Sequence, residues 1–457
     1  MSLVRWLTNR FPFLGEGPRV WVTQAYLLSL ATVFLLLCGP AGYTRITRFK
    51  FMLFACLSGG YVLAMAALSL PGLARRRGPG IKAALRRVTW PQWAAAAYLL
   101  ATWVSALASP YWPHTFLGVS RYEGAASITL YVLSFLLISA YGKPTRLLLG
   151  TLAGAMVVFG GLCALQLAGR NPFGLYPQGL TYADAYVAYP GAYLGTIGNV
   201  GLVAGFFSLS LPMLVYALIR LSARGRFWLL LPLALCLYAL VRMHVLAGFV
   251  GVGMGTLLAL PVAGFRKGRQ RASAALAMGC ALLAALGLVY LVDAGAGLFH
   301  EVHQILHGNF DAGFGTGRLY IWQEVLARVP QRLWLGYGPD TMLRAGMQFR
   351  HYNALLGRQA VSSIDMAHSE PLNVLYHQGL LGLVTYIIFL ASLARRWISA
   401  APHNGAIALL GAGLLGYALQ GLFGYSMPIT APFFWAAAGL LACPSPPSPP
   451  LSRRPLG

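Results

Sequence analysis

The chain has 457 residues, of which 58% are hydrophobic and only 10% charged, with a formal net charge of +24. Soluble domains carry roughly 25% charged residues, so this is not a soluble protein, and it is far too apolar to be disordered. The basic residues sit in short gaps between apolar runs and not on a solvated face, which excludes a nucleic-acid binder and leaves the bilayer as the solvent.

Twelve apolar segments follow in chain order, at roughly 21–40, 51–70, 90–108, 125–141, 147–168, 200–219, 227–241, 244–264, 273–292, 371–394, 405–423 and 428–443. Backbone polar groups in hydrocarbon must be satisfied within their own segment, so each is expected to be a helix. The predicted fold is an all-α polytopic membrane protein of about twelve transmembrane helices. Nine lie in 1–292 and three in 371–443, separated by a large, helical outer-face loop at 293–370. In that loop Leu319, Trp322, Val325 and Leu326 recur at helical spacing. Residues 444–457 are Pro/Ser-rich and read as a disordered cytoplasmic tail. The first twenty residues hold Arg5, Arg10, Glu16 and Arg19 and lack the apolar core of a cleavable signal peptide. Cys38, Cys56, Cys163, Cys236, Cys280 and Cys443 all fall in apolar runs without CxxC spacing, as small hydrophobes do.

Basic residues set the orientation. With the N-terminus in the cytoplasm, the inner loops collect Arg75, Arg76, Arg77, Lys82, Arg86 and Arg87, then Lys143 and Arg146, Arg220 to Arg226, Arg266 to Arg271, and Arg395 and Arg396. Every acidic residue except Glu16 then lies outside. Arg45, Arg48 and Lys50 in the first outer loop run against this pattern. The inner loops are short, while the outer loops at about 109–124, 169–199 and 293–370 are long, and long loops in compact proteins commonly carry function.

Polar residues gather in those outer loops. Gly313-Phe-Gly315-Thr316-Gly317-Arg318 places an always-charged guanidinium, suited to gripping phosphate, just after a glycine-rich turn. It lacks the Gly-Lys-Ser/Thr of a nucleotide-binding P-loop. Trp334-Leu-Gly336-Tyr-Gly338-Pro339-Asp340 reads as a tight turn. Asp365-Met-Ala-His368-Ser369-Glu370 places an imidazole, a suitable general base, at the outer mouth of the tenth span. Gly118-Val-Ser-Arg121-Tyr-Glu123-Gly124 precedes the fourth span, and Arg242 and His244 fill a minimal gap between the seventh and eighth, where charge is costly and commonly functional. Several cations thus converge near the outer leaflet, as a membrane-anchored phosphate ligand requires. His300, His303 and His307 share one helix face, but without a His-Glu-x-x-His motif or nearby cysteine they read as part of an amphipathic surface helix, and no metal is expected.

His368, Ser369, nine intervening residues, Gly379, two more and Gly382 resemble the His-[Asn/Ser/Phe]-x9-Gly-x-x-[Gly/Thr/Val] pattern of the O-antigen ligase and polymerase superfamily. The resemblance extends to Gly317-Arg318 with Trp322, to Gly336-Tyr-Gly338-Pro339, to Gly195-Thr196-Ile-Gly198-Asn199 with Pro212, and to the loop from Gly118 to Gly124. It implies a GT-C-type membrane glycosyltransferase that takes a glycan from undecaprenyl pyrophosphate at the outer face of the bacterial inner membrane. The acceptor hydroxyl belongs to lipid A core, a growing glycan or a protein. It further implies inversion at the anomeric carbon and no metal cofactor, with Arg318, Arg121 and Arg242 on the pyrophosphate and His368 as base. Asp365 or Glu370 orients His368, and His244 stands with the substrate-binding group. Relatives commonly carry an arginine just before the Gly-Thr-x-Gly-Asn segment, where this chain has Pro190-Gly-Ala-Tyr193-Leu. They often carry Ser-Arg where it has Met243-His244. The competing class is a membrane transporter. Transporters place ionisable groups at mid-membrane in broken helices, whereas these spans are almost free of charge in their middles.

Overall fold

The structure, a computed structural model, describes residues 16–70, 88–177, 179–188, 192–220, 227–295, 297–311, 314–353 and 358–444. Arg5, Arg10, the basic stretch 71–87, Pro190, Gly191, Arg224, Arg226, Gly313 and the tail beyond Pro444 lie outside the described residues.

Among the described residues fifteen α-helices follow in chain order: α1 (Pro18–Ser29, continued by a π-turn at Leu30–Phe34), α2 (Ile46–Ala67), α3 (Trp90–Leu107), α4 (Ala125–Tyr141), α5 (Arg146–Leu167), α6 (Tyr182–Ala188), α7 (Val200–Arg220), α8 (Leu230–Met243), α9 (Leu246–Gly264, broken by two π-turns), α10 (Gly268–Leu291), α11 (Gly297–Leu306), α12 (Phe314–Arg328), α13 (Glu370–Ala400), α14 (Gly405–Gly421) and α15 (Ala431–Ala442). Each of the twelve apolar segments coincides with a helix. Among the described residues six are long and apolar enough to cross a membrane by length and composition: Gly42–Ala67, Arg146–Leu167, Val200–Arg220, Leu246–Gly264, Gly268–Leu291 and Glu370–Ala400. Several others, such as α4, α14 and α15, fall short of the roughly 20 residues that a perpendicular crossing needs.

The bundle packs α7 along α14, α3 along α13, α4 on α15 and α5 on α8. Small residues permit the closest approaches: Gly255 of α9 abuts the backbone of Gly416 on α14, and Gly251 abuts Ser208 on α7. Such packing is how helices associate where no hydrophobic driving force separates protein from lipid.

Side-chain contacts sort the helix ends into two groups. At one end, basic residues cap helix C-termini, whose last carbonyls have no partner in their own helix and carry partial negative charge. Arg19 donates to Leu68 O (3.0 Å), Arg220 to Ala263 O (2.8 Å), Arg271 to Ile398 O (3.2 Å) and Arg396 to Leu441 O (2.6 Å). Lys143 pairs with Glu16 at 2.9 Å at this same end. At the other end the loops before α2, α4, α7, α13 and α15 lock together; Tyr43 Oη, for example, donates to Gly195 O at 2.7 Å. Lys50, anomalous in the charge pattern, is buried there as an internal cap. Its ammonium donates to the carbonyls of Phe34 (2.5 Å) and Leu35 (3.1 Å) at the end of the first helix.

The loop expected to be helical is mixed. After α11 and α12 comes an antiparallel hairpin, β1 (Gln348–Asn353) with β2 (Arg358–Ser363). The buried stripe of α12 is also displaced from the expected one. Ile321, Val325 and Val329, spaced by four, face a small core with Tyr337, Met342 and Met347, while Leu326 is 48% exposed. This cap is fixed to the bundle through a break in α13. At Gly379 the backbone turns to φ 67°, ψ −166°, and the segment 333–338 supplies the missing partners. Tyr337 N donates to Tyr376 O (2.9 Å), Gly338 N to His377 O (2.8 Å) and Leu380 N to Leu333 O (2.7 Å). A Cβ on Gly379 would stand 2.4 Å from the Trp334 carbonyl, and one on Gly336 would stand 2.5 Å from the His377 carbonyl. That φ/ψ region is essentially open only to glycine. Gly379→Ala therefore destabilises the fold by roughly 3 kcal/mol or more, read as a lowered Tm of the purified protein in detergent. An unchanged Tm would mean that the cap is not clamped through this break.

Candidate active site

The clamped cap brings residues from three loops to one end of the bundle. Arg121, between α3 and α4, meets Asp365, just before α13. Its Nε donates to Asp365 Oδ2 at 2.8 Å and a terminal nitrogen lies 2.6 Å from the same oxygen. Both side chains are 28% exposed, so the pair borders solvent. The loop that carries Arg121 is held from beneath by Asp340. This carboxylate accepts from Arg121 N (2.8 Å), Ser120 N (3.1 Å) and Ser120 Oγ (2.9 Å), and its carbonyl accepts from Val119 N (3.1 Å). Burial raises the Asp340 pKa, and these donors oppose the rise. Gly118 has φ 89°, and a Cβ there would overlap the Asp340 carboxylate at 2.2 Å, so the glycine clears the space for this support.

His368 lies beside this pair, half-buried, with its ring edge-on to Tyr425 at a centroid distance of 5.2 Å. The same tyrosine ring lies 5.6 Å from the Arg121 guanidinium. Burial first, and then the positive charge of Arg318, pull the His368 pKa down to about 4; Arg121 adds to this and Asp365 opposes it. The imidazole is therefore neutral at physiological pH. Its backbone takes the left-handed conformation (φ 49°), which costs a non-glycine residue roughly 1–2 kcal/mol. The flanking chain holds it there: Ala367 N donates to Asn373 Oδ1 (2.7 Å), and Trp322 Nε1 donates to Ala367 O (2.9 Å). Among the described residues no hydrogen bond is made by the His368 ring.

Arg318, in the first turns of α12, donates to Gly315 O at 3.0 Å, while its buried Nε has no partner among the described residues. Burial disfavours its charge and Glu301 partly restores it. Glu301 also accepts from Gly315 N at 3.0 Å, which fixes the turn.

Of the residues singled out by sequence, Arg121, Asp365 and His368 are joined through the Arg121–Asp365 pair and the shared Tyr425 ring, and Arg318 acts on His368 through its charge. Glu370 is adjacent but turned to another loop, accepting from Ser426 N at 2.8 Å. Neither Asp365 nor Glu370 hydrogen-bonds His368; Asp365 is spent on Arg121. Arg242 and His244 lie apart from the cluster in their contacts. Both are exposed at the turn after α8, which His244 ends with φ 53°, and Arg242 lies over Tyr238 of its own helix at 6.0 Å. The three histidines of the amphipathic helix take separate partners: His300 binds Asp293 at 2.6 Å, His303 the Val289 carbonyl and His307 the His303 carbonyl.

The sequence reading missed Asp340, Tyr425 and Glu123 as parts of the site. Asp340 carried a signal, an acid directly after the Gly-Tyr-Gly-Pro turn; Tyr425 carried none. Glu123 accepts from Tyr131 Oη at 2.8 Å, and burial together with the nearby Glu370 charge pushes its pKa well up.

A comparison with known protein families matches residues 227–387 to the model described as O-Antigen ligase. This segment belongs to the O-antigen ligase family. It contains Arg318, Asp340, Asp365, His368 and the clamp at Gly379, whereas Arg121 and Tyr425 reach the O-antigen ligase segment from outside it. Membership implies, at a coarse level, a membrane glycosyltransferase that works on a lipid-linked glycan and an acceptor. The apolar helices agree with a membrane protein. A search of curated proteins returns no match.

Proposed function

We propose that this protein transfers a glycan from undecaprenyl pyrophosphate to an acceptor hydroxyl at the outer face of the bacterial cytoplasmic membrane, with both chain termini in the cytoplasm. The observation that supports this best is the gathering of two guanidiniums around one neutral, backbone-strained imidazole at the end of the bundle away from the basic loops. His368 takes the proton of the acceptor hydroxyl as its oxygen attacks the anomeric carbon. The bond from that carbon to the pyrophosphate oxygen breaks, the glycosidic bond forms with inversion, and undecaprenyl pyrophosphate leaves. Arg318, with its spare Nε donor, and Arg121 stabilise the negative charge that grows on the leaving group. Fixed donors aimed at developing charge act without reorganisation. Two guanidiniums supply this neutralisation themselves, so turnover is expected to proceed in EDTA.

Purified protein, supplied with the lipid-linked glycan and one acceptor at a time, tests the reading. Product on lipid A core identifies an O-antigen ligase, an extended lipid-linked chain identifies a polymerase, and product on a protein hydroxyl identifies an O-oligosaccharyltransferase. No product with any acceptor, together with ion-driven solute uptake by proteoliposomes, would replace the glycosyltransferase with a transporter.

A further inference from the structure

We infer that the bundle holds an anionic diacyl phospholipid at the end opposite His368, with one acyl chain threaded between helices and the phosphate on Arg146 and Arg220. A cleft of ≈ 280 Å³ runs between α1, α5, α7, α14 and α15. Its walls are apolar, among them Leu149, Phe206, Leu409 and Phe433, and among the described residues only Arg146 and Arg220 bring charge to it. Both stand at the basic end of the bundle, Arg146 at the start of α5 and Arg220 at the end of α7. From Arg220 to Phe206 the cleft follows α7 for about 21 Å at 1.5 Å per residue, more than the ~15 Å depth of one hydrocarbon leaflet. A chain entering from the basic end is thus accommodated along its whole length.

The mouth calls for an anion. Arg220 uses its Nε to cap Ala263, but one terminal nitrogen is buried and has no partner among the described residues. Arg266 adds a third positive charge close to it. Of the chain's ten acidic residues, Glu16 is the one placed at this end, and it is taken by Lys143 at 2.9 Å. Water could satisfy a buried guanidinium nitrogen, but not fill an apolar cleft that opens beside it. A phosphodiester joined to an acyl chain does both.

Native mass spectrometry of the delipidated full chain, offered phosphatidylglycerol and phosphatidylcholine with identical chains, tests the inference. One phosphatidylglycerol is retained in preference to phosphatidylcholine. Removing each guanidinium weakens retention about fivefold, so Arg146→Gln with Arg220→Gln weakens it about 25-fold, while Arg170→Gln in the opposite loops leaves it unchanged. Because Arg220 also caps α9, a second variant leaves the arginines intact: Ala437→Phe, on the cleft wall, fills the cleft and expels the lipid. Equal retention of the two phospholipids, or retention unaffected by Ala437→Phe, would overturn the proposal. So would one-for-one displacement of phosphatidylglycerol by undecaprenyl phosphate, which would make the cleft a site for the carrier. The glycan-transfer reading stands or falls separately, on His368 at the other end.

Discussion

Replacing His368 with alanine lowers kcat by roughly 10²–10⁴-fold, the usual contribution of a positioned base, and leaves a folded protein in the membrane. The pH profile separates a base from a structural histidine. Burial and the charges of Arg318 and Arg121 hold the imidazole near a pKa of about 4, well below its ordinary value of 6.5. The neutral form is the one able to accept a proton, and it predominates above that pKa. The acid limb of kcat/KM is therefore expected near pH 4, and the profile is flat from about pH 5 to 8 as far as this group decides it. Arg318→Gln removes the largest charge holding the pKa down, so in that variant the limb moves upward, while burial still keeps it below the ordinary value. Undiminished turnover in His368→Ala would remove the catalytic assignment. A wild-type limb at pH 6.5 would place the imidazole in a more solvated setting than the one seen here.

The helices were legible because a long apolar run has few alternatives to helix in a bilayer, and all twelve runs coincide with helices in the structure. How many of them cross was not legible in the same way. Run length includes flanking apolar residues, such as Leu422 and Phe423, that lie beyond the end of α14. The site was legible in part, because its four interacting residues lie in loops marked by glycine and by charge. What joins them was not. Asp340 supports Arg121 from 219 residues away, and Tyr425 reaches both Arg121 and His368 from beyond α14. Gly336 read as part of a tight turn and Gly379 as part of a family pattern, yet each is a glycine because of the other's neighbourhood. Local pattern carries no record of such pairings. The hairpin at Gln348–Ser363 escaped for a related reason: its strands satisfy each other's backbone, and their side chains follow no clean apolar alternation.

The two arginines are expected to fail differently. Arg318 has no carboxylate in direct contact and keeps a buried Nε free of partners among the described residues. A donor left unsatisfied in the unliganded protein is costly, and the proposed function has pyrophosphate satisfy it. Arg318→Ala is expected to lower kcat by about 10²–10³-fold, as the loss of one aimed donor commonly does. Arg318→Lys recovers little, because an ammonium cannot reproduce the guanidinium fork. Arg121 is already engaged by Asp365, and this solvent-bordering pair contributes little to stability. Its removal acts twice, on the phosphate and on the base. Asp365, no longer balanced, then raises the His368 pKa, so Arg121→Ala moves the acid limb upward as well as slowing turnover. Adding Asp365→Asn returns the limb toward its original position without restoring the lost donor. Kinetics of the two single variants and the double variant against pH measure this. If the limb stays in place in Arg121→Ala, the guanidinium does not act on His368, and the electrostatic link between the two loops is absent.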